Sequence, residues 1–389
     1  MSALLAPNPT HATIGNAMSE GFRAPSKVGI CEWAEREIRI IKGPDKGRFR
    51  VARAPYMRRI FEAFTDPRVR DLTLKTATQV GKTTIETICA AFAISEDPED
   101  ILIVLPKEDA ARELSNERIQ PMFSKSPGIR AQLTERLHDQ QTERLVFLRC
   151  TVYFGWANSP ASLASRTVRF LFLDETGKYG LLSKKEADPV KLATERTKNF
   201  PYTKKIFAAS SPTTPEAVIS RRYEQSNKCR YWVPCPHCGE MQLLVTAYVK
   251  WPQGARSDDV KDGNLAWYEC CKCGARLTDQ DKPRMLAGGE WRAENPNVRT
   301  HEGFQINSLY SQWVPLSHYA AEYLATHSFA PEFMNFVNGW EGGDWLEKAA
   351  EVTDASIAAL KIKYTMGIIP FAAQLLTCGI DVMDAFVRY

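Results

Sequence analysis

The chain has 389 residues, of which 44% are hydrophobic and 25% charged. This ordinary globular composition excludes fibrous, collagen-like and wholly disordered proteins, and the length allows two or three domains. The net charge of +4 is too small to identify a nucleic-acid partner by itself. Because the sequence shows no run of 18 apolar residues and no basic, apolar leader, we expect neither a membrane span nor a secretory signal, and we expect the ten cysteines to be largely reduced.

Along the chain, residues 1–28 are rich in Ala, Pro, Ser and Thr without periodicity, which predicts a flexible arm. From 29 to 228, short apolar runs alternate with helical segments. This alternation indicates an α/β domain with a mostly parallel sheet and helices on both faces. The expected strands are Leu72–Leu74, Ile101–Leu105, Leu145–Leu148, Val152–Phe154, Phe170–Leu173 and Ile206–Ala208. The expected helices are Cys31–Ile38, Tyr56–Phe64, Thr83–Ile94 and Glu108–Met122.

The composition changes after residue 228. Residues 229–300 contain cysteine pairs, tryptophans and turn residues, which predicts a separate small module. Residues 301–374 are rich in aromatic residues, and we predict a linker region with helices near 317–327 and 331–340.

A strand, a tight loop and a helix start follow one another at 72–84, around the triplet Gly81-Lys82-Thr83. Backbone N–H groups in such a loop hold phosphate oxygens, with the lysine on the β and γ phosphates and the threonine hydroxyl on Mg²⁺. The first glycine of the usual G-x-x-x-x-G-K-[ST] pattern is replaced by Thr76, and a plain helix start with a solvated lysine is the alternative. The predicted nucleotide-binding residues are Thr76, Ala77, Thr78, Gln79, Val80, Gly81, Lys82, Thr83 and Thr84.

Two carboxylates follow a nearly continuous apolar run at 168–173. Such a strand is buried on both faces, so Asp174 should emerge at the carboxyl edge of the sheet, where it can hold Mg²⁺. Glu175 beside it suits a general base that orients the attacking water. A solvated strand end is the alternative. Together with the phosphate loop, the pair predicts a P-loop NTPase fold of the RecA/ASCE-like type.

A further strand ends in hydroxyl residues at Ser210, Ser211 and Thr213. In a nucleotide-binding sheet these hydroxyls can sense the γ-phosphate and couple its loss to movement. The same residues are also ordinary turn formers, and this second interpretation stays open.

Two C-x-x-C-G turns lie 31 residues apart, at 235–239 and 270–274. Four thiolates on two such turns can form a tetrahedral site suited to Zn²⁺, and we predict a structural zinc ribbon. Cys271 and His237 fit the spacing less well. The expected ligands are Cys235, Cys238, Cys270 and Cys273.

As an ordered set, these motifs resemble the GpA (lambda-like) branch of the phage terminase large subunits. The resemblance covers about residues 30–381. It also includes the Ser- and Arg-containing stretch at 157–166 and the segment Gly303–Ser311.

This resemblance implies an ATP-driven motor that packs double-stranded DNA into a procapsid, in the cytoplasm of the bacterial host. It also implies a C-terminal metal-dependent endonuclease, a small terminase subunit and a portal protein as partners, and a homo-oligomeric active form. The implied cofactors are ATP, Mg²⁺ and structural Zn²⁺, and no membrane is involved.

The resemblance assigns roles to three further residues. Tyr56 would stack on adenine, although a core or surface tyrosine is the alternative. Arg166 would supply the transition-state cation unless a neighbouring subunit supplies it. Asp381 would be the first metal-binding carboxylate of an RNase H-like nuclease domain, of which residues 375–389 hold the first strand. Because one strand lacks the other carboxylates of a two-metal site, we expect nuclease activity to be lost or incomplete in this chain.

Two other functions fit parts of the pattern. One is a helicase-like, nucleic-acid-dependent ATPase with a zinc ribbon. The other is an inactive prophage fragment that only binds DNA or a partner protein. Intact Lys82, Asp174 and Glu175 weigh against the second of these.

Overall fold

The computed structural model describes residues 28–134, 139–164, 166–179, 188–346, 381–382 and 387–388. The chain divides into two compact units, Met1–Trp345 and Leu346–Tyr389. The predicted arm at 1–28 lies outside the described residues except for its last residue. None of the described helices is both long and apolar enough to cross a membrane.

The helices of the first unit include those predicted from the periodic segments of the sequence, together with others that were not predicted. They are α1 (Ile30–Glu37), α2 (Met57–Thr65), α3 (Lys82–Glu96), α4 (Glu108–Glu113), α5 (Gln120–Lys125), α6 (Pro127–Arg130), α7 (Pro160–Leu163), α8 (Pro189–Glu195), α9 (Val218–Glu224), α10 (Ser257–Asp262), α11 (Lys282–Ala287), α12 (Leu316–Thr326) and α13 (Ala330–Phe336). The helix predicted over Glu108–Met122 is interrupted by a π-helical stretch, Leu114–Ile119. A second π-helical stretch, Val337–Glu341, follows α13.

The strands of the first unit include every predicted one, within a few residues at each end. They are β1 (Arg39–Ile40), β2 (Gly47–Arg48), β3 (Asp71–Thr76), β4 (Ile101–Leu105), β5 (Gln140–Gln141), β6 (Arg144–Val146), β7 (Thr151–Trp156), β8 (Phe170–Asp174), β9 (Lys205–Ser210), β10 (Cys229–Pro234), β11 (Met241–Gln242), β12 (Val249–Lys250), β13 (Trp267–Glu269), β14 (Arg276–Leu277), β15 (Glu290–Ala293) and β16 (His301–Ile306).

The main sheet confirms the predicted parallel architecture. Its order is β11-β10-β16-β3-β9-β8-β4-β7-β6-β5, with β15 paired to β10. The seven strands from β10 to β7 in this order are parallel to their neighbours. Strands β5, β6, β11 and β15 are added antiparallel at the two sides.

Helices cover both faces of this sheet, because successive residues of each central strand are buried in opposite directions. In β8, Phe170 and Phe172 join the core that contains α2 and α3, whereas Leu171 and Leu173 join the core that contains α8 and α9. Burial on both faces explains why the strand reads as a continuous apolar run. It also places the carboxyl ends of the strands at one edge of the sheet.

Residues 301–306 differ from the prediction: they form the strand β16, between β3 and β10, and not part of a helical linker. Two features obscured this strand in the sequence. Glu302 is charged but buried in an ion pair with Arg59. Gly303 is needed because a Cβ there would lie 1.9 Å from the Ser226 hydroxyl oxygen. Helices α12 and α13 agree with the predicted helical segments that follow.

The boundary predicted at 228/229 is also displaced. Strand β10 belongs to the main sheet, so the cysteine-rich part leaves the sheet at the end of β10 and does not begin as a free module. Its own three-stranded sheet, β12-β13-β14, is antiparallel. The chain then returns to the main sheet through β15.

In the second unit the structure describes one antiparallel strand pair, β17 (Asp381–Val382) with β18 (Val387–Arg388). The backbone of Asp381 is therefore extended, in agreement with the expected strand. Its side chain and residues 375–380 lie outside the described part of the chain, so the metal-binding role predicted for Asp381 stays a prediction.

Candidate nucleotide site and cysteine cluster

The phosphate-binding loop joins the end of β3 at Thr76 to the start of α3 at Lys82. Two of its residues adopt left-handed backbone conformations, Gln79 at φ 59° and Gly81 at φ 90°. A Cβ on Gly81 would lie 2.5 Å from the Met57 methyl group of α2. Glycine is therefore favoured at 81 by its backbone conformation, whereas the Met57 side chain is flexible enough to move aside for a Cβ.

The Lys82 ammonium group is buried at the base of this loop. It donates hydrogen bonds to the Ala77 carbonyl oxygen at 3.1 Å and to the Ser211 hydroxyl at 2.9 Å. Burial lowers the pKa of Lys82, whereas the carboxylates of Glu175 and Asp174 oppose that shift. The structure thus brings the predicted lysine, the acidic pair and one predicted coupling residue together.

Asp174 lies at the carboxyl end of β8 with 4% of its surface exposed. Burial, followed by the charge of Glu175, raises its pKa to about 6. Its Oδ1 atom has no hydrogen-bond partner among the described residues. A buried carboxylate oxygen without a partner fits a cation ligand, so Asp174 and the hydroxyl of Thr83 suit Mg²⁺.

Glu86 was missed by the sequence analysis. It lies on α3, one turn after Lys82, and is 6% exposed. Burial and then the charge of Asp174 raise its pKa well above the usual range. The signal that could have identified it is a glutamate among the apolar residues of a buried helix. Two buried carboxyl groups, Glu86 and Asp174, therefore lie near one buried ammonium group, that of Lys82.

Glu175, the residue after Asp174, adopts a left-handed backbone conformation at φ 56°. Its backbone N–H donates to the Ala209 carbonyl oxygen at 2.8 Å, which ties the turn to β9. Its carboxylate lines the pocket above the loop and pairs with the Lys178 ammonium group at 3.0 Å. Non-glycine residues at positive φ are uncommon and cluster at functional sites.

The predicted coupling residues at the end of β9 contact both the turn that follows the acidic pair and the lysine of the phosphate loop. The Ser210 hydroxyl accepts a hydrogen bond from the Gly177 N–H at 2.9 Å and donates to the Ser211 carbonyl oxygen at 2.8 Å. Ser211 accepts from Lys82, and the Thr213 carbonyl oxygen accepts from the Trp345 N–H at 2.8 Å. The 210–213 turn therefore contacts the phosphate loop, the turn after β8 and the end of the first unit.

A pocket of about 710 Å³ opens above the loop. Its walls include predicted residues of the loop, namely Thr78, Gln79, Gly81, Lys82, Thr83 and Thr84, together with Glu175. Three further residues on its wall were missed: Arg50, Arg118 and Trp313. The two arginines form no salt bridge with another described residue, and the Trp313 ring is 36% exposed. They come from segments far apart in sequence, so no local spacing indicated them.

Tyr56 does not line this pocket, which contradicts its predicted stacking on adenine. Its ring is 1% exposed, and its hydroxyl donates to the Val80 carbonyl oxygen at 3.0 Å beneath the loop. Its ring packs edge-on against Tyr231 at 6.2 Å between centroids. Tyr56 is therefore a core residue that supports the loop from behind.

Arg166 is likewise not on the wall of the pocket. Its guanidinium group stacks on the ring of Tyr153 at 4.5 Å from the centroid, beside strand β7. The structure therefore does not bring Arg166 together with Lys82 and Glu175 within one chain.

The four predicted zinc ligands do come together. The sulfur atoms of Cys235, Cys238, Cys270 and Cys273 all lie within 4.8 Å of one another. The closest pairs are 3.8 Å and 3.9 Å apart, and a tetrahedral zinc with bonds of about 2.3 Å requires a sulfur separation of about 3.8 Å. This donor set and geometry fit Zn²⁺.

Both cysteine turns are built in the same way. The N–H of Gly239 donates to the Cys235 carbonyl oxygen at 2.9 Å, and the N–H of Gly274 donates to the Cys270 carbonyl oxygen at 3.1 Å. Both glycines have positive φ, at 75° and 68°. Cys271 lies outside the cluster, and its N–H donates to the Gln242 side chain at 3.1 Å.

The fold and the loop define a parallel-sheet protein with a phosphate-binding loop at the carboxyl edge of its sheet. Residues 43–291 match the family model for the phage terminase large subunit gpA, ATPase domain. Residues 301–388 match the model for the terminase large subunit gpA, endonuclease domain. The chain belongs to the gpA family of phage terminase large subunits, as the motifs predicted, and the model of the family's ATPase domain covers residues 43–291.

Two relatives are terminase large subunits, from Enterobacteria phage P21 and Escherichia phage lambda. Each is 22% identical to this chain, over 380 and 385 residues respectively. The alignments cover 92% of this chain but only 59% of each relative, so the chain spans about three fifths of their length.

Among solved structures, the HK97 bacteriophage large terminase matches 52% of this chain and 41% of that chain, at 15% identity and a TM-score of 0.42. The ATPase domain of the Thermus phage P74-26 large terminase matches 75% of this chain and 92% of that chain, at 13% identity and a TM-score of 0.41. The endonuclease model begins at 301, yet β16 belongs to the main sheet of the first unit.

Proposed function

We propose that this chain hydrolyses ATP with Mg²⁺ and uses the energy to translocate double-stranded DNA into a procapsid. The observation that carries the proposal is the convergence of Lys82, Asp174, Glu175 and Ser211 at one edge of the sheet, below a pocket of about 710 Å³. Family membership favours this function over the helicase-like and inactive alternatives.

In the proposed reaction, the N–H groups of the loop and the α3 N-terminus hold the phosphates. Lys82 moves its ammonium group from Ala77 and Ser211 to the β and γ phosphates. Thr83 and Asp174 would hold Mg²⁺, and the bound ion would neutralise charge on the phosphates. Glu175 orients the attacking water and accepts its proton as the oxygen bonds to the γ-phosphorus. The bond from the γ-phosphorus to the β–γ bridging oxygen breaks, and ADP leaves with that oxygen.

Arg50 and Arg118 are the cations that we propose to meet the charge on the transferred phosphate within one chain. Both lie on the pocket wall without a salt-bridge partner among the described residues. Arg166 would act only across a subunit boundary, which stays a prediction. We propose Trp313, in place of Tyr56, as the aromatic ring that stacks on the base.

The cysteine cluster is proposed to hold a structural zinc ion. Its four ligands fill a tetrahedral shell and leave no position for a substrate. In the chain, this ribbon is held between β10 and β15, both of which are strands of the main sheet.

The partners proposed from the family are double-stranded DNA, a small terminase subunit, a portal protein and further copies of this chain, in the bacterial cytoplasm. Asp381 is proposed as a metal-binding carboxylate of the endonuclease domain, whose family model matches residues 301–388.

The deciding experiment is ATP hydrolysis by the purified chain with Mg²⁺, with and without linear duplex DNA, beside Lys82→Ala. We expect DNA-stimulated hydrolysis in the native chain and a loss on the order of 10²–10³-fold in kcat in the variant. Lys198→Ala, on an exposed surface pair with Glu195, is the matched control and should retain full activity. A folded native chain without hydrolysis would contradict the proposal.

A further inference from the structure

The last residues of the first unit, Asn338 to Trp345, lie against the nucleotide site, although the reaction proposed above does not use them. We refer to them as the 338–345 segment. It begins within the second π-helical stretch and ends where the first unit ends. No motif of the sequence indicated a role for it.

The segment contacts the phosphate-binding loop directly. The backbone N–H and the hydroxyl of Thr78 both donate to the Gly339 carbonyl oxygen, at 2.7 Å and 2.9 Å. Gly342, at φ 60°, packs so closely that a Cβ there would lie 2.6 Å from the Ala77 nitrogen. The loop is thus supported from outside by the backbone of this segment, and its position depends on that backbone.

A buried ion pair holds the segment to the strand that carries the loop. The Lys75 ammonium group lies 2.7 Å from the Asp344 carboxylate, and the two side chains are 5% and 20% exposed. The other oxygen of Asp344 accepts a hydrogen bond from the Ser220 hydroxyl of α9. Lys75 is therefore directed at Asp344 and does not line the pocket, although it is only seven residues before Lys82.

The same segment also reaches the predicted coupling turn. The Trp345 N–H donates to the Thr213 carbonyl oxygen at 2.8 Å, and Ser211 in that turn accepts from Lys82. One short stretch of chain therefore contacts the loop, the strand before it and the turn that touches the catalytic lysine.

We propose that the 338–345 segment is a positioning element of the nucleotide site and that Asp344 is its main positioning residue. By fixing Lys75 and the backbone at 77–78, it sets the loop relative to the 210–213 turn. When the loop moves with the nucleotide, the bonds of Gly339 and Trp345 change with it. This inference rests on the ATP hydrolysis proposed above.

The test compares Asp344→Asn with Asp71→Asn in the full 389-residue chain. Asp71 is the matched control because it pairs with Arg222 of α9 at 2.9 Å, at the opposite end of the same strand β3. We expect Asp344→Asn to lower kcat for ATP roughly 10–100-fold, since a misplacement of about 1 Å at catalytic groups has effects of that order. Asp71→Asn should lower the melting temperature while kcat stays within about twofold.

The double variant Lys75→Met, Asp344→Asn separates positioning from simple charge burial. Removing both partners leaves no unpaired buried charge, so the melting temperature should return toward that of the native chain. A positioning role requires that kcat stays low in this double variant. Full recovery of kcat together with stability would overturn the proposal.

Amide hydrogen exchange gives a readout that does not require hydrolysis. In Asp344→Asn, the amides of Thr78 and Trp345 should exchange at least about tenfold faster, because each is held by a bond that involves the segment. In Asp71→Asn they should not. If the native chain fails to hydrolyse ATP, the proposed function fails, whereas the exchange result still decides the positioning role. Unchanged exchange at both amides in Asp344→Asn would refute it.

Discussion

The phosphate-binding loop and the cysteine ribbon both depend on glycines with positive φ, but they draw their partners from very different distances along the chain. In the ribbon, each pair of ligands lies on one five-residue turn, and the two turns meet within the same module. In the nucleotide site, Lys82 meets Ser211 across 129 residues, and Thr78 meets Gly339 across 261. A site whose residues are close in sequence can be lost while the rest of the fold stays intact. A site whose residues are distant in sequence depends on the whole sheet.

The largest effect is expected for the cysteine ribbon, when one of its zinc ligands is replaced. Replacing one ligand, Cys238→Ser, should reduce bound zinc from about one ion per chain to near zero, since all four thiolates complete the shell. Zinc content by atomic absorption, together with the melting temperature, measures this. Cys271→Ser is the control. Because Cys271 lies outside the cluster, this variant should bind as much zinc as the native chain. Equal zinc loss in both variants would mean that the ligand set is wrong.

The next prediction concerns the nucleotide site, whose strand β3 pairs with β16. The His301 ring lies 2.8 Å from the Thr73 hydroxyl, and burial together with nearby Arg222 lowers its pKa to about 4. Because an unfolded histidine has a pKa of about 6.5, the contribution of the neutral ring is complete above that pH. It is lost as the pH falls toward 4, by ~2–3 kcal/mol in the free energy of unfolding.

Urea denaturation between pH 4 and 7 measures this dependence. His301→Gln should flatten the profile in that range, because it removes the buried ring whose pKa is lowered. An unaltered slope in His301→Gln would show that β16 is not closed against β3 in solution.

The smallest expected effect concerns the base. Trp313→Ala should raise KM for ATP roughly tenfold, because stacking of a base on an aromatic ring is worth on the order of 1 kcal/mol or more. Its kcat should change little. Trp267→Ala, in the ribbon, is the matched control with a KM near the native value. An unchanged KM in Trp313→Ala would mean that Trp313 is not the base-stacking ring.

The same contrast explains how much the sequence could predict. Spacing alone identified the four cysteines, and continuous apolar runs identified β3, β4, β8 and β9. The order of strands and loops also predicted that Lys82, Asp174 and Glu175 lie at one edge of the sheet, because parallel strands end at the same edge.

Residues that act through distant contacts were not predictable from local pattern. Tyr56 has an aromatic ring of the kind that stacks on a base, but the ring is buried in the core, where it packs against Tyr231. Trp313 and Asp344 become part of the site only after β16 has brought the later chain beside β3. The strand β16 was missed because it contains a charged residue, Glu302. Its ion-pair partner, Arg59, is too distant in sequence to be recognised from local pattern.

The position of β16 has a consequence for how this protein must be synthesised and divided. The strand that carries the phosphate loop leaves the ribosome long before the strand that covers its side, since Thr73 and His301 are 228 residues apart. Until β16 arrives, β3 exposes a row of unpaired N–H and carbonyl groups, which is a template for aggregation. A fragment that ends at residue 291, where the ATPase family model ends, would keep that open edge permanently. A fragment that ends after Trp345 would close it.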